Sequence, residues 1–147
     1  MRTTPIASLA SDETGERASA IVGLRVLVVD DDTDTRELLE MMLSEAGAVV
    51  VCAESVSRAF ELLVSARPQV IISDIEMPFE NGYSFLRNLR SVLDEDGAQT
   101  PAIALTACAT RQDRARALAS GFNLHVPKPT TAAKLLRAVA ELAQTLG

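Results

Sequence analysis

The fold of this chain is decided by residues 24–32, LRVLVVDDD, an almost entirely apolar run that ends in three carboxylates. A short run rich in β-branched residues predicts a strand buried on both faces, as in a parallel sheet. Three more strand-like runs are each followed directly by a polar residue: Val70–Ser73 by Asp74, Ala102–Leu105 by Thr106, and Leu124–Pro127 by Lys128. Open parallel sheets bind ligands at the carboxyl ends of their strands, so we expect these side chains to meet in one crevice.

Strand-like and helical patterns alternate along the rest of the chain. The predicted strands are 24–29, 48–52, 69–73, 101–105 and 123–126, and the predicted helices are 33–46, 55–66, 83–93, 110–120 and 130–145. Gly47 and Gly121 follow two of these helices as stop signals. Right-handed crossovers then favour an α/β fold with a doubly wound, five-stranded parallel sheet in the order 2-1-3-4-5, flanked by five helices, as in flavodoxin-like proteins. The strand order reverses between strands 1 and 3, where Asp30, Asp31 and Asp74 lie.

The first predicted helix has two adjacent apolar stripes. Leu38, Met42 and Ala46 form one stripe, and Leu39 and Leu43 lie beside it.

Length and composition indicate one globular domain with a substantial core. The chain has 147 residues, of which 48% are apolar and 23% are charged. Residues 1–22 have no sustained period, so we interpret them as a flexible tail or linker that precedes a domain over residues 23–147.

Charge and cysteine content argue against several classes of protein. The 14 basic and 20 acidic residues give a net charge of −6, which does not favour direct binding of nucleic acid. No apolar run approaches the roughly 20 residues that span a bilayer, and the start of the chain does not resemble a signal peptide. Cys52 and Cys108 are too few for a disulfide framework, so we expect reduced thiols in a cytoplasmic protein.

The predicted carboxylate cluster indicates a metal site. Asp30, Asp31 and Asp74 would repel one another unless they share a cation. Their hard oxygen atoms favour Mg²⁺, with Mn²⁺ as an alternative, and His125 is the only histidine that could offer softer ligation.

The same residues suit phosphoryl transfer. Asp74 stands alone after an apolar run and is the best candidate nucleophile. Thr106 can donate a hydrogen bond to one phosphoryl oxygen, and the Lys128 ammonium group can pair with another. Each residue alone also fits an ordinary role as a helix cap, a turn residue, a loop hydroxyl or a solvated lysine, and only the set favours the chemical interpretation.

Five short segments then resemble the receiver domain of two-component response regulators, the CheY-like family. The resemblance covers about residues 24–146. The segments are VLVVDDD (residues 26–32), IISDIEMP (71–78), NGY (81–83), ALTA (104–107) and KP (128–129).

The resemblance implies a role for each matched residue. Asp74 would be the phosphoacceptor, and Asp30 and Asp31 would hold Mg²⁺, with Asp31 the more direct ligand. Glu76 would add its backbone carbonyl to the metal, and Asp32 would fall outside the acid pair. Thr106 and Lys128 would contact the phosphoryl group, and the Lys128–Pro129 bond would be cis.

The resemblance also implies partners. The phosphoryl donor would be a phosphohistidine on a sensor histidine kinase or phosphotransfer protein, and an output protein would bind the phosphorylated form. Such a domain is not an enzyme in its own right, although it assists its own phosphorylation and dephosphorylation. The cognate kinase, a phosphorylation-linked homodimer and membership of a hybrid kinase are left open by the sequence.

Two departures from the family pattern lie on the fifth strand. His125 occupies the switch position where Tyr or Phe is usual, which adds a titratable group. Pro127 cannot donate to a ladder, so the fifth strand should lie at an edge of the sheet. The resemblance also implies an output face, formed by helix 4, strand 5 and helix 5, that changes on phosphorylation. Arg111, Arg114 and Arg116 on the fourth helix would lie on this face, and we interpret them first as solvated residues and second as a partner site.

Two other functions remain as alternatives. One is a receiver fold that acts only as a binding module. The other is a haloacid-dehalogenase-like phosphatase, but Asp34 stands where that family's motif has Thr or Val, and no acidic pair follows Lys128.

A third departure, the acidic side chain of Glu76, generates a prediction. We expect its negative charge to slow phosphotransfer from small anionic donors. Glu76→Gln should therefore react faster than the unmodified protein with acetyl phosphate, and equal rates would contradict this expectation.

Overall fold

The computed structural model describes residues 20–78, 80–92, 99–107 and 110–145. Strands and helices alternate through them as predicted. The strands are β1 (Arg25–Val29), β2 (Val49–Ala53), β3 (Val70–Asp74), β4 (Ala102–Thr106) and β5 (Leu124–Pro127). The helices are α1 (Thr33–Glu45), α2 (Val56–Ser65), α3 (Gly82–Val92), α4 (Arg111–Ser120) and α5 (Ala132–Gln144).

The sheet is parallel, and its order β2-β1-β3-β4-β5 confirms the predicted topology. Pro127 lies on β5, an edge strand, as its missing N–H requires. Val29 pairs with Ser73, Asp74 with Leu105, and Thr106 with Pro127. The carboxyl ends of β1, β3, β4 and β5 therefore lie side by side at one edge of the sheet.

Helices cover both faces of the sheet, because alternate residues of each buried strand point to opposite sides. On one face, Val26 and Val28 pack with residues of α1 and α5. On the other, Leu27 and Val29 pack with residues of α2, α3 and α4. These two apolar layers explain why β1 and β3 contain hardly any polar residue before their last positions.

The start of the described chain joins the core. Ile21 is 2% exposed and belongs to the apolar layer under α1 and α5. The Gly23 N–H donates to the Gly47 carbonyl over 2.8 Å, which ties this segment to the turn after α1. Residues 1–19 of the predicted tail lie outside the described residues, as does Cys108. No helix in the described part of the chain is long and apolar enough to cross a membrane.

Helix α1 begins as expected but buries only part of its apolar surface. The Asp32 carboxylate accepts the Thr35 N–H over 2.8 Å, which makes Asp32 the N-cap. Leu39 and Leu43 are buried, whereas Leu38 is 46% exposed. Met42 and Ala46 are half-buried and pack against the same apolar layer, so the core covers the second stripe fully and the first stripe only in part.

Gly82 allows α3 to start directly against the backbone of Asp74. A Cβ atom at position 82 would lie 2.6 Å from the Asp74 carbonyl oxygen, which is closer than real contacts allow. The Gly82 N–H also donates to the Ile75 carbonyl over 3.0 Å. The absence of a side chain at Gly82 therefore helps to set the position of Asp74.

We predict that Gly82→Ala destabilises the protein by about 1–3 kcal/mol, because α3 or β3 must shift to relieve this clash. At an unobstructed position the same change would stabilise by up to about 1 kcal/mol. Urea unfolding measures the difference, with Asn88→Ala on the exposed face of α3 as the control. Equal or greater stability of Gly82→Ala would contradict the predicted clash.

Candidate functional site

Three carboxylates meet at the point where the strand order reverses. Asp30 follows β1, Asp74 ends β3, and Asp31 lies beside Asp30. One oxygen from each of these groups lies within 4.8 Å of the others. Asp30 and Asp74 are 1% and 3% exposed, whereas Asp31 faces solvent. The cluster is therefore buried on the sheet side and open on the other.

Lys128 brings a positive charge to this cluster from the far end of the sheet. Its Nζ atom lies 3.0 Å from Asp74 Oδ1 and 3.5 Å from Asp30 Oδ2. The Lys128 N–H donates to the Thr106 carbonyl over 2.7 Å, which fixes the backbone, and the Lys128–Pro129 bond is cis, as expected. The lysine therefore bridges two carboxylates that come from different strands.

Backbone N–H groups hold the two buried carboxylates in place, and one arginine holds the backbone of Asp30. Asp30 Oδ1 accepts the Asp32 N–H over 2.9 Å, and Asp74 Oδ1 accepts the Glu76 N–H over 3.3 Å. Arg36 Nη1 donates to the Asp30 carbonyl over 2.8 Å. Nothing in the sequence indicated Arg36, because only the path of the chain at the start of α1 turns it back toward Asp30.

The electrostatics of the cluster favour a bound cation. Burial raises the pKa of Asp74 to about 6, although the hydrogen bond from Lys128 acts in the opposite direction. Burial also raises the pKa of Asp30. Burial lowers the pKa of Lys128, but its hydrogen bond to Asp74 and the two nearby negative charges outweigh this and raise it. The single Lys128 ammonium group does not fully neutralise the negative charge of the three carboxylates. Their hard oxygen atoms are suitable ligands for Mg²⁺ or Mn²⁺.

Glu76 and Thr106 make a contact that the sequence did not indicate. Glu76 was predicted to contribute its backbone carbonyl, and that role stays a prediction. Its side chain crosses from the loop after β3 to the end of β4, where one oxygen accepts the buried Thr106 hydroxyl over 2.5 Å. The other oxygen accepts the Ala107 N–H over 3.0 Å.

His125 lies at the middle of β5, opposite Ala104 on β4. Its Nε2 atom is buried and has no hydrogen-bond partner among the described residues. Burial, followed by the positive charge of Arg114, lowers its pKa, against the opposing charges of Asp113 and Glu76. The imidazole is therefore mainly neutral at pH 7 and can pack as a ring in the way Tyr or Phe would.

The arginines of α4 differ in their surroundings. Arg111, Arg114 and Arg116 are exposed, as expected for a solvated face. The Arg116 guanidinium also stacks over the Tyr83 ring, 4.2 Å from its centroid, which links α4 to α3.

These features define a doubly wound α/β protein with a candidate divalent-metal site at the point where the strand order of its sheet reverses. The family described as "Response regulator receiver domain" matches residues 26–140, and the chain belongs to this family. Receiver domains serve two-component signalling, bind Mg²⁺ in a cluster of acidic residues, and work with histidine kinases and output domains. They are generally non-enzymatic signalling domains.

Individual proteins agree with this assignment. The chain is 42% identical to an uncharacterized 14.6 kDa protein from Leptolyngbya boryana, covering 79% of this chain and 87% of that protein. It is 36% identical to the response regulator MprA of Mycolicibacterium vanbaalenii, covering 77% of this chain and 47% of MprA. The structure of Vibrio cholerae CheY4 matches with a TM-score of 0.77 at 28% identity, covering 82% of this chain and 99% of CheY4.

One relative places a similar domain inside a much larger protein. The chain is 34% identical to part of hybrid signal transduction histidine kinase D of Dictyostelium discoideum, covering 92% of this chain but 9% of the kinase. The chain thus spans about half of MprA and a small part of the kinase.

We predict that Asp74→Asn stabilises the protein above pH 6 in buffer free of divalent metal. A folded-state pKa of about 6, against an ordinary value of 3.8, means that ionisation of Asp74 opposes folding. This penalty is absent below pH 3.8, grows as the pH rises to about 6 and is constant above it. After allowance for screening by water at this half-open site, we expect a gain of about 1–2 kcal/mol at pH 7.5.

Urea unfolding between pH 4 and pH 8 measures this effect. Asp32→Asn is the matched control, because the hydrogen bonds from Thr35 lower the pKa of Asp32, so its charge favours folding. A pH-independent difference between Asp74→Asn and the unmodified protein would contradict the buried charge at Asp74.

Proposed function

We propose that this chain is a phosphorylation-dependent switch in which Asp74 accepts a phosphoryl group from the phosphohistidine of a sensor histidine kinase or phosphotransfer protein. The observation that carries the proposal is the position of Asp74, whose carboxylate lies 3.0 Å from the Lys128 ammonium group within a cluster of three acids. A buried carboxylate next to a mobile cation suits a nucleophile that must receive a doubly charged group.

The transfer exchanges one bond to phosphorus for another. A carboxylate oxygen of Asp74 attacks the phosphorus atom, the P–N bond of the donor breaks, and its electron pair stays on the imidazole. With a pKa of about 6, Asp74 is mostly ionised and reactive at pH 7 and above. Lys128 balances charge on the incoming group while it keeps contact with Asp30.

A divalent metal completes this arrangement. Asp30, Asp31 and Asp74, together with the Glu76 carbonyl, would hold Mg²⁺ or Mn²⁺, which neutralises charge on the phosphoryl oxygens during transfer. The Asp32 N–H holds the Asp30 carboxylate and Arg36 holds the Asp30 backbone carbonyl, and neither contact requires the metal.

The response reaches the surface formed by α4, β5 and α5. Thr106 ends β4 and would contact the phosphoryl group, and His125 would follow its movement. The described side chains of α4 are largely exposed, and Ala117 and Ser120 are the buried ones, so little apolar area resists a shift of this helix. Phosphorylation would then change which conformation of this surface predominates, and with it the affinity for an output protein.

This function sets the remaining expectations. We place the protein in the cytoplasm, where histidine kinases present their phosphohistidine, and we expect no direct binding of nucleic acid or membrane. A homodimer that forms on phosphorylation would use the same surface.

The test is phosphotransfer from labelled histidine kinases with and without Mg²⁺. We expect label on the unmodified protein only when Mg²⁺ is present, no label on Asp74→Asn, and normal labelling of Asp32→Asn. Asp32→Asn keeps a capping side chain and removes one nearby charge, so it controls for charge alone. Label on Asp74→Asn, or transfer that is indifferent to Mg²⁺, would overturn the proposal.

A further inference from the structure

The side chain of Glu76 forms a two-point contact at the carboxyl end of β4. Its Oε2 atom accepts the Thr106 hydroxyl over 2.5 Å, and its Oε1 atom accepts the Ala107 N–H over 3.0 Å. A carboxylate that receives one donor on each oxygen is held in both position and orientation. The loop after β3 is therefore linked to the end of β4 by an anion.

These two donors are also the ones that a phosphoryl group on Asp74 would meet. Asp74 pairs with Leu105 on β4, so Thr106, which ends this neighbouring strand, and Ala107, which follows it, come next along the chain. The Glu76 N–H donates to Asp74 Oδ1 over 3.3 Å, so the backbone of Glu76 lies directly beside the proposed phosphoacceptor. The Glu76 side chain thus reaches from a backbone position beside Asp74 to the end of β4.

The donors cannot serve two anions at once. A hydroxyl and an amide each carry a single proton, and Glu76 engages both of them. A phosphoryl group adds a charge of about −1.5 to −2, which repels a carboxylate that occupies the same donors.

We propose that the Glu76 carboxylate competes with the phosphoryl group for the same two donors. The carboxylate holds Thr106 and Ala107 in the unphosphorylated arrangement, and it must leave them when Asp74 is phosphorylated. This inference rests on the proposed function of Asp74 and adds a regulatory role for a side chain at the same site. Glu76 acts through Thr106 and Ala107, so it is a positioning residue rather than a catalytic one.

The competition has two measurable consequences. Without the carboxylate, a phosphoryl mimic binds Thr106 and Ala107 without first displacing Glu76. Its affinity should then rise by about tenfold, which corresponds to one charge-assisted hydrogen bond that no longer has to be broken. The same change releases the Ala107 N–H even when no phosphoryl mimic is present. Repulsion by charge alone predicts the first consequence without the second.

The experiment compares Glu76→Ala and Glu76→Gln with Glu80→Gln in the full chain. Glu80 lies in the same loop, and its carboxylate accepts the Val56 N–H over 3.3 Å, so Glu80→Gln removes the same charge without touching Thr106. Beryllofluoride with Mg²⁺ serves as the phosphoryl mimic, and its affinity is measured by calorimetry. The Ala107 amide is followed by its NMR chemical shift and hydrogen exchange before the mimic is added.

We expect Glu76→Ala to bind beryllofluoride about tenfold more tightly than the unmodified protein, Glu76→Gln to fall between them, and Glu80→Gln to lie within about twofold of the unmodified protein. We also expect faster exchange of the Ala107 amide in Glu76→Ala alone, with the thermal unfolding transition retained.

Other outcomes separate the two proposals. Tightening that is equal in Glu76→Ala and Glu80→Gln, or a released Ala107 amide with unchanged or weaker affinity, would overturn the competition while leaving Asp74 as the acceptor. Failure of the unmodified protein to bind beryllofluoride, or equal binding by Asp74→Asn, would overturn the proposed function itself.

Discussion

The constraint on which this structure depends is the concentration of negative charge at the carboxyl edge of a parallel sheet. The strand order brings Asp30 and Asp74 together where both are nearly excluded from solvent. Lys128 supplies the ion pairs that make this arrangement tolerable, at 3.0 Å from Asp74 and 3.5 Å from Asp30. Burial raises the pKa of both carboxyls despite the nearby Lys128 ammonium group, so their negative charge is only partly compensated.

Other parts of the fold serve the same cluster. The apolar layers on both faces of the sheet hold β1 and β3 rigidly, so their last residues are placed with precision. Gly82 lets α3 pack against the backbone of Asp74, and Arg36 holds the backbone of Asp30 from α1. By contrast, α4 is attached through little buried surface, and it lies beside the strand that carries His125. A rigid site next to a loosely packed helix is the arrangement expected of a switch.

The sequence was sufficient for the sheet and for most of the cluster, because strand periodicity and right-handed crossovers determine which strand ends meet. Asp30, Asp31, Asp74 and Lys128 could be placed together on that basis alone. The contact of Glu76 with Thr106 could not be placed, because it depends on the path of the loop after β3, which follows no period. Both stripes of α1 are apolar, so the burial of Leu39 and Leu43 and the exposure of Leu38 were visible only in the structure.

Chemical mapping identifies the residue that carries the phosphoryl group, which we propose is Asp74. After reaction with acetyl phosphate and Mg²⁺, borohydride reduction converts an aspartyl phosphate to homoserine, which peptide mass spectrometry can locate. We expect homoserine at position 74 and unchanged carboxylates at Asp30, Asp31 and Glu76. Homoserine at position 30 or 31 with an intact Asp74, or no reduction at any position under conditions that phosphorylate a known receiver domain, would contradict this proposal.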